Sequence, residues 1–277
     1  MTLVVAEIGI NHNGDLGIAR QLIDLAHAAG CDAVKFQKRS VEIVYPPAVL
    51  ATPRESPWGT TTGDQKRGLE FGRVEYDALD AHCRSLGLPW FASAWDLPSL
   101  AFLRPYDLPY NKVASAMLTY RPFLEAVAAE RKETLLSTGM SSLSQVVTAM
   151  EVFRAARCPF VLLHAVSTYP TPDDMLNLRM LNTLRRLHPR VGYSGHEVSP
   201  LPSVIAAALG AEVIERHITL DRAMYGSDQA ASLEGVALRW MVDAIRRVPG
   251  YLGDGIKTVS EAEAAVARKL RYFEAAA

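Results

Sequence analysis

With 277 residues, 49% of them hydrophobic and 21% charged, the chain is long enough to bury a large core, either as two average domains or as one α/β barrel. A formal net charge of -1 leaves no basic surplus for nucleic-acid phosphates and no polybasic anchor for a membrane surface, so neither partner is expected. Three widely spaced cysteines, Cys31, Cys83 and Cys158, suit buried reduced thiols better than a disulfide framework or a zinc knuckle, which points to a cytoplasmic protein.

The first apolar run, 3–8, has no basic segment ahead of it and carries Glu7 inside it, so it reads as a strand and not as a signal peptide. No other uncharged apolar stretch approaches the roughly 20 residues that span a bilayer. Further strands are expected at 32–36, 89–92, 110–113, 134–137, 160–164, 190–193 and 212–216. Helical patterns lie between or after them, among them 16–29, 75–86, 141–155, 172–187, 202–209 and 233–247. Ser142 and Gln145 have capping-box spacing, as do Ser260 and Glu263 at the head of a last helix over 260–273, within a C-terminal helix and tail spanning 258–277. Alternation of this kind favours a single-domain (β/α)8 barrel, a TIM barrel, over an open sheet of similar order. One connection is long: 38–72, rich in Pro, Thr and Gly, follows strand two on the face where barrels keep their active sites. It is expected to cover the substrate pocket, the alternative being a mobile insertion.

In a barrel, polar residues at the C-terminal strand ends meet at one mouth however distant in sequence. Taken in chain order these are Glu7 with Asn11, His12 and Asn13, then Lys35 and Gln37, Ser93 and Asp96, Lys112 and Ser115, Ser137 and Thr138. His164, Ser167 and Tyr169 follow, then Ser194 and His196, and last His217 and Asp228. Two lysines are costly to bury unpaired. Either they bind an anion, with Ser115, Ser137 and Ser194 adding hydroxyl donors, or they pair with Glu7 or Glu215. His196 and His217 occupy equivalent places on consecutive strands and so can share one divalent ion, open to water, substrate or a carboxylate, which favours Mn2+ or Mg2+ over structural zinc. His164 reads as a hydrogen-bonded core residue, and His27, His82 and His188 as surface residues.

Ala6-Glu7-Ile-Gly-Ile-Asn11-His12-Asn-Gly14, Val34-Lys35-Phe-Gln37, Leu136-Ser137-Thr-Gly-Met140, Tyr169-Pro-Thr-Pro172, Gly192-Tyr-Ser194-Gly-His196 and Glu215-Arg-His217 together resemble the sialic acid synthase family, in its order and over nearly the whole chain. The resemblance implies a metal-dependent enzyme on a (β/α)8 barrel that condenses phosphoenolpyruvate with an aldose, N-acetylmannosamine or a relative, to give a 3-deoxy-2-ulosonic acid and phosphate. By resemblance His196 and His217 hold the metal, Mn2+ before Mg2+ or Co2+. Lys35, Lys112, Ser115, Ser137 and Ser194 hold phosphoenolpyruvate, while Glu7, Gln37, Tyr169 and Asp228 contact the sugar, with Glu7 also a candidate for moving a proton.

Three positions depart from the family pattern. Met117 stands where a carboxylate that recognises the amino sugar is usual, Ala94 where a hydroxyl is usual, and Ser167, counted with the substrate-binding set, where an amide is usual. These bear on which sugar is accepted. Typical relatives also carry a C-terminal antifreeze-like domain that covers the sugar site across a dimer. In its place the 38–72 loop, a homodimer partner or a separate protein is expected to close the pocket. A synthase making an eight-carbon acid, and a sugar- or partner-binding barrel without activity, are the competing readings.

Overall fold

A computed structural model describes residues 2–271 and 273. Its eight main strands are β1 (Leu3–Gly9), β2 (Ala33–Lys38), β3 (Trp90–Ala94), β4 (Asn111–Val113), β5 (Thr134–Ser137), β6 (Phe160–Ala165), β7 (Val191–Gly195) and β8 (Val213–His217). They pair in parallel and in chain order, and β8 returns to β1 to close the barrel. Around them run α1 (Leu16–Ala28), α2 (Arg73–Leu86), α3 (Leu97–Leu103), α4 (Arg121–Ala129), α5 (Leu143–Ala155), α6 (Met180–Leu187), α7 (Leu201–Ala208) and α8 (Gly235–Leu252), followed by α9 (Glu261–Leu270). Most strand residues are buried because one face fills the barrel and the other meets helices, which is why the strands read as short, nearly continuous apolar runs.

Each expected strand is present, 134–137 unchanged and the others with no end moved by more than two residues. The expected helix over 172–187 is shorter: a 3-10 turn at Asp173–Met175 and Asn177 in the left-handed region (φ 44) precede it, and the α-helix starts at Met180. The last helix covers Glu261–Leu270 of the expected 260–273, and the tail beyond 273 lies outside the described residues. Both capping boxes form, at Ser142/Gln145 and Ser260/Glu263.

The long connection after β2 has its own architecture. It holds helices at Val41–Val44, Pro47–Leu50 and Thr62–Gly68 and a hairpin of Pro53–Ser56 with Gly59–Thr61. This insertion docks on the loop after β8, where the Gln65 amide donates to the Tyr225 hydroxyl at 3.1 Å and Trp58 meets Tyr225 edge-on at 5.9 Å.

Strand register sets out the mouth. Glu7 lies beside Lys35 on one side and His217 on the other, Ser194 beside Glu215, and Ser93 beside Lys112. The three cysteines are free and buried, and burial pushes the Cys31 and Cys83 thiols up to about 12, so they stay protonated and inert. His164 Nε2 donates to the Leu176 carbonyl (2.7 Å) as a core residue, whereas His188, expected at the surface, is half-buried in a 4.0 Å stack on Phe160.

Candidate active site

A cavity of about 180 Å³ opens at the C-terminal end of the barrel. Of the residues expected at the mouth, Asn11, His12, Asn13, Asp96, Thr138, His164 and Asp228 do not line it, and the others do. Asn11 is tied to Ile218 and Ser232, His12 is stacked on Phe71, and Asp96 caps α3. Glu7, Lys35, Gln37, Lys112, Ser115, Ser137, Ser167, Tyr169, Ser194, His196 and His217 thus converge from seven of the eight strand ends. Asp228 stands behind His217, its carboxylate 3.9 Å from the ring Nδ1. Trp95, Glu215, Met140, Ser93, Ala114 and Ala116 complete the lining. Met117 and Ala94 do not line it: Met117 packs against the hydrophobic core and Ala94 is buried within it.

Both lysines are paired inside the barrel. Lys35 Nζ lies 2.7 Å from Glu7 and 3.8 Å from Glu215, and Lys112 Nζ lies 3.7 Å from Glu215 while donating to the Ser137 hydroxyl at 2.5 Å. Of the two explanations for buried lysines, carboxylate pairing is therefore realised, and it leaves an anion-binding role open, since the ammonium groups still border the cavity. The surroundings of the two cations differ. Burial opposes the charge of Lys35, but Glu215 and Glu7 outweigh it and hold its pKa above the ordinary lysine value. Lys112 has one carboxylate at longer range and Lys35 as a like-charged neighbour, so burial wins and lowers it to about 8. Glu215 is held down at about 2 because Lys112 and Lys35 overcome its own burial.

Hydroxyl groups crowd one wall. Ser194 donates to Glu215 at 2.9 Å, and the Gly139 backbone N–H donates to Ser115 Oγ at 3.1 Å. A Cβ at Gly139 would come within 2.3 Å of Ser167 Oγ and 2.8 Å of Ser115 Oγ, so only glycine lets the chain after β5 approach both serines.

The histidine pair sits at the ends of β7 and β8, ring centroids 5.5 Å apart. His196 Nδ1 faces the Val166 carbonyl at 2.6 Å, which fixes Nδ1 as the donor and leaves the Nε2 lone pair toward the cavity, where the Tyr169 hydroxyl meets it at 3.0 Å. Burial, with His217 close by, lowers the His196 pKa to about 3, so the ring is neutral, the form in which imidazole ligates metals. His217 Nδ1 is buried without a hydrogen-bond partner among the described residues. Two imidazoles, His196 held neutral and His217 with an orphaned nitrogen, fit an ion completed by substrate or water. Among the described residues no three His, Cys, Asp or Glu side chains form a closed metal cage.

From the sequence Glu215 reads only as a lysine partner. Its signal was strand alternation: two residues before His217 on β8, it must face the same side. Trp95 follows β3 and had no comparable cue.

The sequence pattern of the NeuB family matches residues 22–257. The N-acetylneuraminate-9-phosphate synthase of Homo sapiens is 37% identical over 271 residues, 96% of this chain and 76% of that protein. The N,N'-diacetyllegionaminic acid synthase of Campylobacter jejuni is 35% identical, covering 95% of this chain and 80% of its own length. Among solved structures, the N-acetylneuraminic acid synthetase of Leptospira borgpetersenii, crystallised with citrate, matches with a TM-score of 0.85 at 31% identity, over 98% of this chain and 93% of that one. A phospho-2-dehydro-3-deoxyheptonate aldolase of Thermotoga maritima, at 13% identity and a TM-score of 0.68, shares the fold.

Proposed function

The chain belongs to the NeuB family, whose members condense phosphoenolpyruvate with sugars, and on that premise we propose that it makes a nonulosonic or related 3-deoxy-2-ulosonic acid from phosphoenolpyruvate and an aldose such as N-acetylmannosamine. The observation that carries the reading is the meeting, in one cavity, of two buried lysines, a set of serine hydroxyls and two imidazoles.

In this reading Lys35 and Lys112 take the phosphate and carboxylate of phosphoenolpyruvate, with hydroxyl donors from Ser115, Ser137, Ser167 and Ser194. Gln37, Tyr169 and Glu7 address the sugar, while Asp228 faces His217 Nδ1 at 3.9 Å. His196 and His217 would hold a divalent ion, Mn2+ foremost, whose chemistry is Lewis acidity toward the sugar's carbonyl oxygen. Fixed by the lysines, the enol C3 attacks the aldehyde carbon, forming the new C–C bond while the carbonyl oxygen takes up a proton. Water adds to the electron-poor C2 and gives up one proton, and the C2–O bond then breaks so that phosphate leaves with the electron pair and takes the remaining hydroxyl proton, which makes C2 a ketone. Glu7, held by Lys35 and Gln37, is placed to orient or accept a proton in these steps. Holding both reactants in one buried cleft supplies proximity that free solution lacks.

The test is phosphate release from phosphoenolpyruvate with a panel of amino, neutral and phosphorylated aldoses, with added metal and after chelation. Turnover with at least one sugar, lost with chelator and restored by Mn2+, is expected. Silence across the panel overturns the synthase reading, and full activity after chelation overturns the role given to the histidines.

A further inference from the structure

We propose that Arg39 is a positioning residue for the acceptor end of the cavity, the strut through which the insertion after β2 sets Gln37 and, through Gln37, the Glu7 carboxylate. The inference rests on the reading above in assigning Glu7 and Gln37 to the acceptor.

Arg39 is buried just past β2, and it spends its fork on three side chains. Its Nε lies 3.0 Å from Glu70 Oε1, one terminal nitrogen donates to the Tyr45 hydroxyl at 3.0 Å, and the other donates to Gln37 Oε1 at 2.5 Å. Its face lies 5.0 Å from the centre of the Trp95 ring, which lines the cavity. Arginine has donors only and stays charged. An amide has one acceptor end and one donor end, so accepting from Arg39 at Oε1 turns the Gln37 nitrogen the other way. There it donates to Glu7 Oε1 at 2.8 Å, and the second Glu7 oxygen faces Lys35 at 2.7 Å.

The strand end is shaped to hold this contact. The β1–β2 register slips between Glu7 and Gly9, and Gly9 sits at φ 53. A Cβ there would come within 3.0 Å of both Gln37 Nε2 and Glu7 Oε1. No residue of 39–72 lines the cavity, yet Tyr45 and Glu70 belong to that segment. The insertion therefore reaches the chemistry through a relay, from Glu70 and Tyr45 to Arg39, then Gln37, then Glu7. Lysine at 39 offers a point charge on a flexible stem in place of a planar fork that meets three partners at once.

Arg39→Met, Arg39→Lys and the milder Glu70→Gln and Tyr45→Phe test this by steady-state kinetics with a reactive acceptor, by calorimetric titration of phosphoenolpyruvate without acceptor, and by the crystal structure of Arg39→Met. Expected are an acceptor KM raised about tenfold in Arg39→Met, a fall in kcat, little rescue by lysine, and smaller shifts of the same sign in the other two, with phosphoenolpyruvate affinity within about twofold of the parent. The Gln37 amide should leave Glu7 in the variant structure. The proposal is overturned if folded variants keep the parental acceptor KM, if phosphoenolpyruvate affinity falls in step with it, or if Gln37 keeps its bond to Glu7 without Arg39. If the parent protein turns over no acceptor, the functional reading fails, and the variant structure alone still decides whether Arg39 positions Gln37.

Discussion

The two lysines of the cavity carry the same charge in unequal company. Lys112, lowered to about 8 by burial, loses its proton within an ordinary assay range, whereas Lys35 keeps its own. Below about pH 8 both ammonium groups are present to meet phosphoenolpyruvate, and above it Lys112 becomes a neutral amine. The KM for phosphoenolpyruvate should therefore rise as pH passes through about 8, while a Lys112→Met variant shows a raised KM without that inflection. A flat KM for the parent between pH 7 and 10 would remove Lys112 from the anion site. Losing this charged donor should lower kcat/KM by roughly 100-fold, the scale of one strong hydrogen bond to an ionised group. The same shift acts on folding: the folded form binds the Lys112 proton less tightly than the unfolded chain, so this residue's penalty on stability is full below about 8 and is relieved as pH rises toward the ordinary lysine value.

Among the elements, β8 shows how one strand serves two environments. Glu215 and His217 face the cavity, while Arg216 between them points outward and, with no exposure, pairs with fully buried Glu197 at 2.8 Å. Arg216 also donates to the Ser203 hydroxyl on α7 and the Ser199 carbonyl, each at 3.0 Å, so it fastens β8 to the segment that follows His196. Arg216→Met strands the Glu197 carboxylate in the interior and should cost about 3–5 kcal/mol. The Arg216→Met, Glu197→Met double variant should recover much of that loss in urea unfolding. Equal loss in both would show that Arg216 acts through its carbonyl contacts and packing and not through the ion pair. Alternation along the strand was legible in Val213-Ile-Glu-Arg-His217, but which face meets water, anion or helix depended on the neighbours brought by closure.

For the molecule as a whole, closure joins the two ends of the barrel. Arg246 on α8 donates to the Thr2 carbonyl at 2.6 Å and to Asp32 at 2.7 Å, and the same Asp32 oxygen accepts from the Val4 N–H at 2.6 Å. This knot ties the last barrel helix to the first two strands at the end remote from the cavity. Arg246→Ala should lower Tm by about 2–4 °C for each kcal/mol lost and leave the KM of both substrates unchanged. A changed KM with unchanged Tm would contradict the separation of stability from chemistry at opposite barrel ends. No helix among the described residues is long and apolar enough to cross a membrane.

Sequence by itself determined the local grammar: eight apolar runs of strand length, amphipathic helices with caps at Ser142 and Ser260, and polar residues placed at strand ends. These follow from period and turn chemistry within a few residues of chain. It also sufficed to collect twelve site residues of which eleven line one cavity, because parallel strands in a barrel deliver all their C-terminal ends to the same face. Tertiary structure alone decided the rest. It paired Lys35 and Lys112 with Glu7 and Glu215, set Asp228 against His217, took Met117 and Ala94 out of the lining, and turned an expected loop into an insertion that reaches Gln37 through Arg39. Each of these turns on distances of a few ångströms between residues far apart in the chain, and electrostatic and hydrogen-bond energies depend on such separations, which no local pattern encodes.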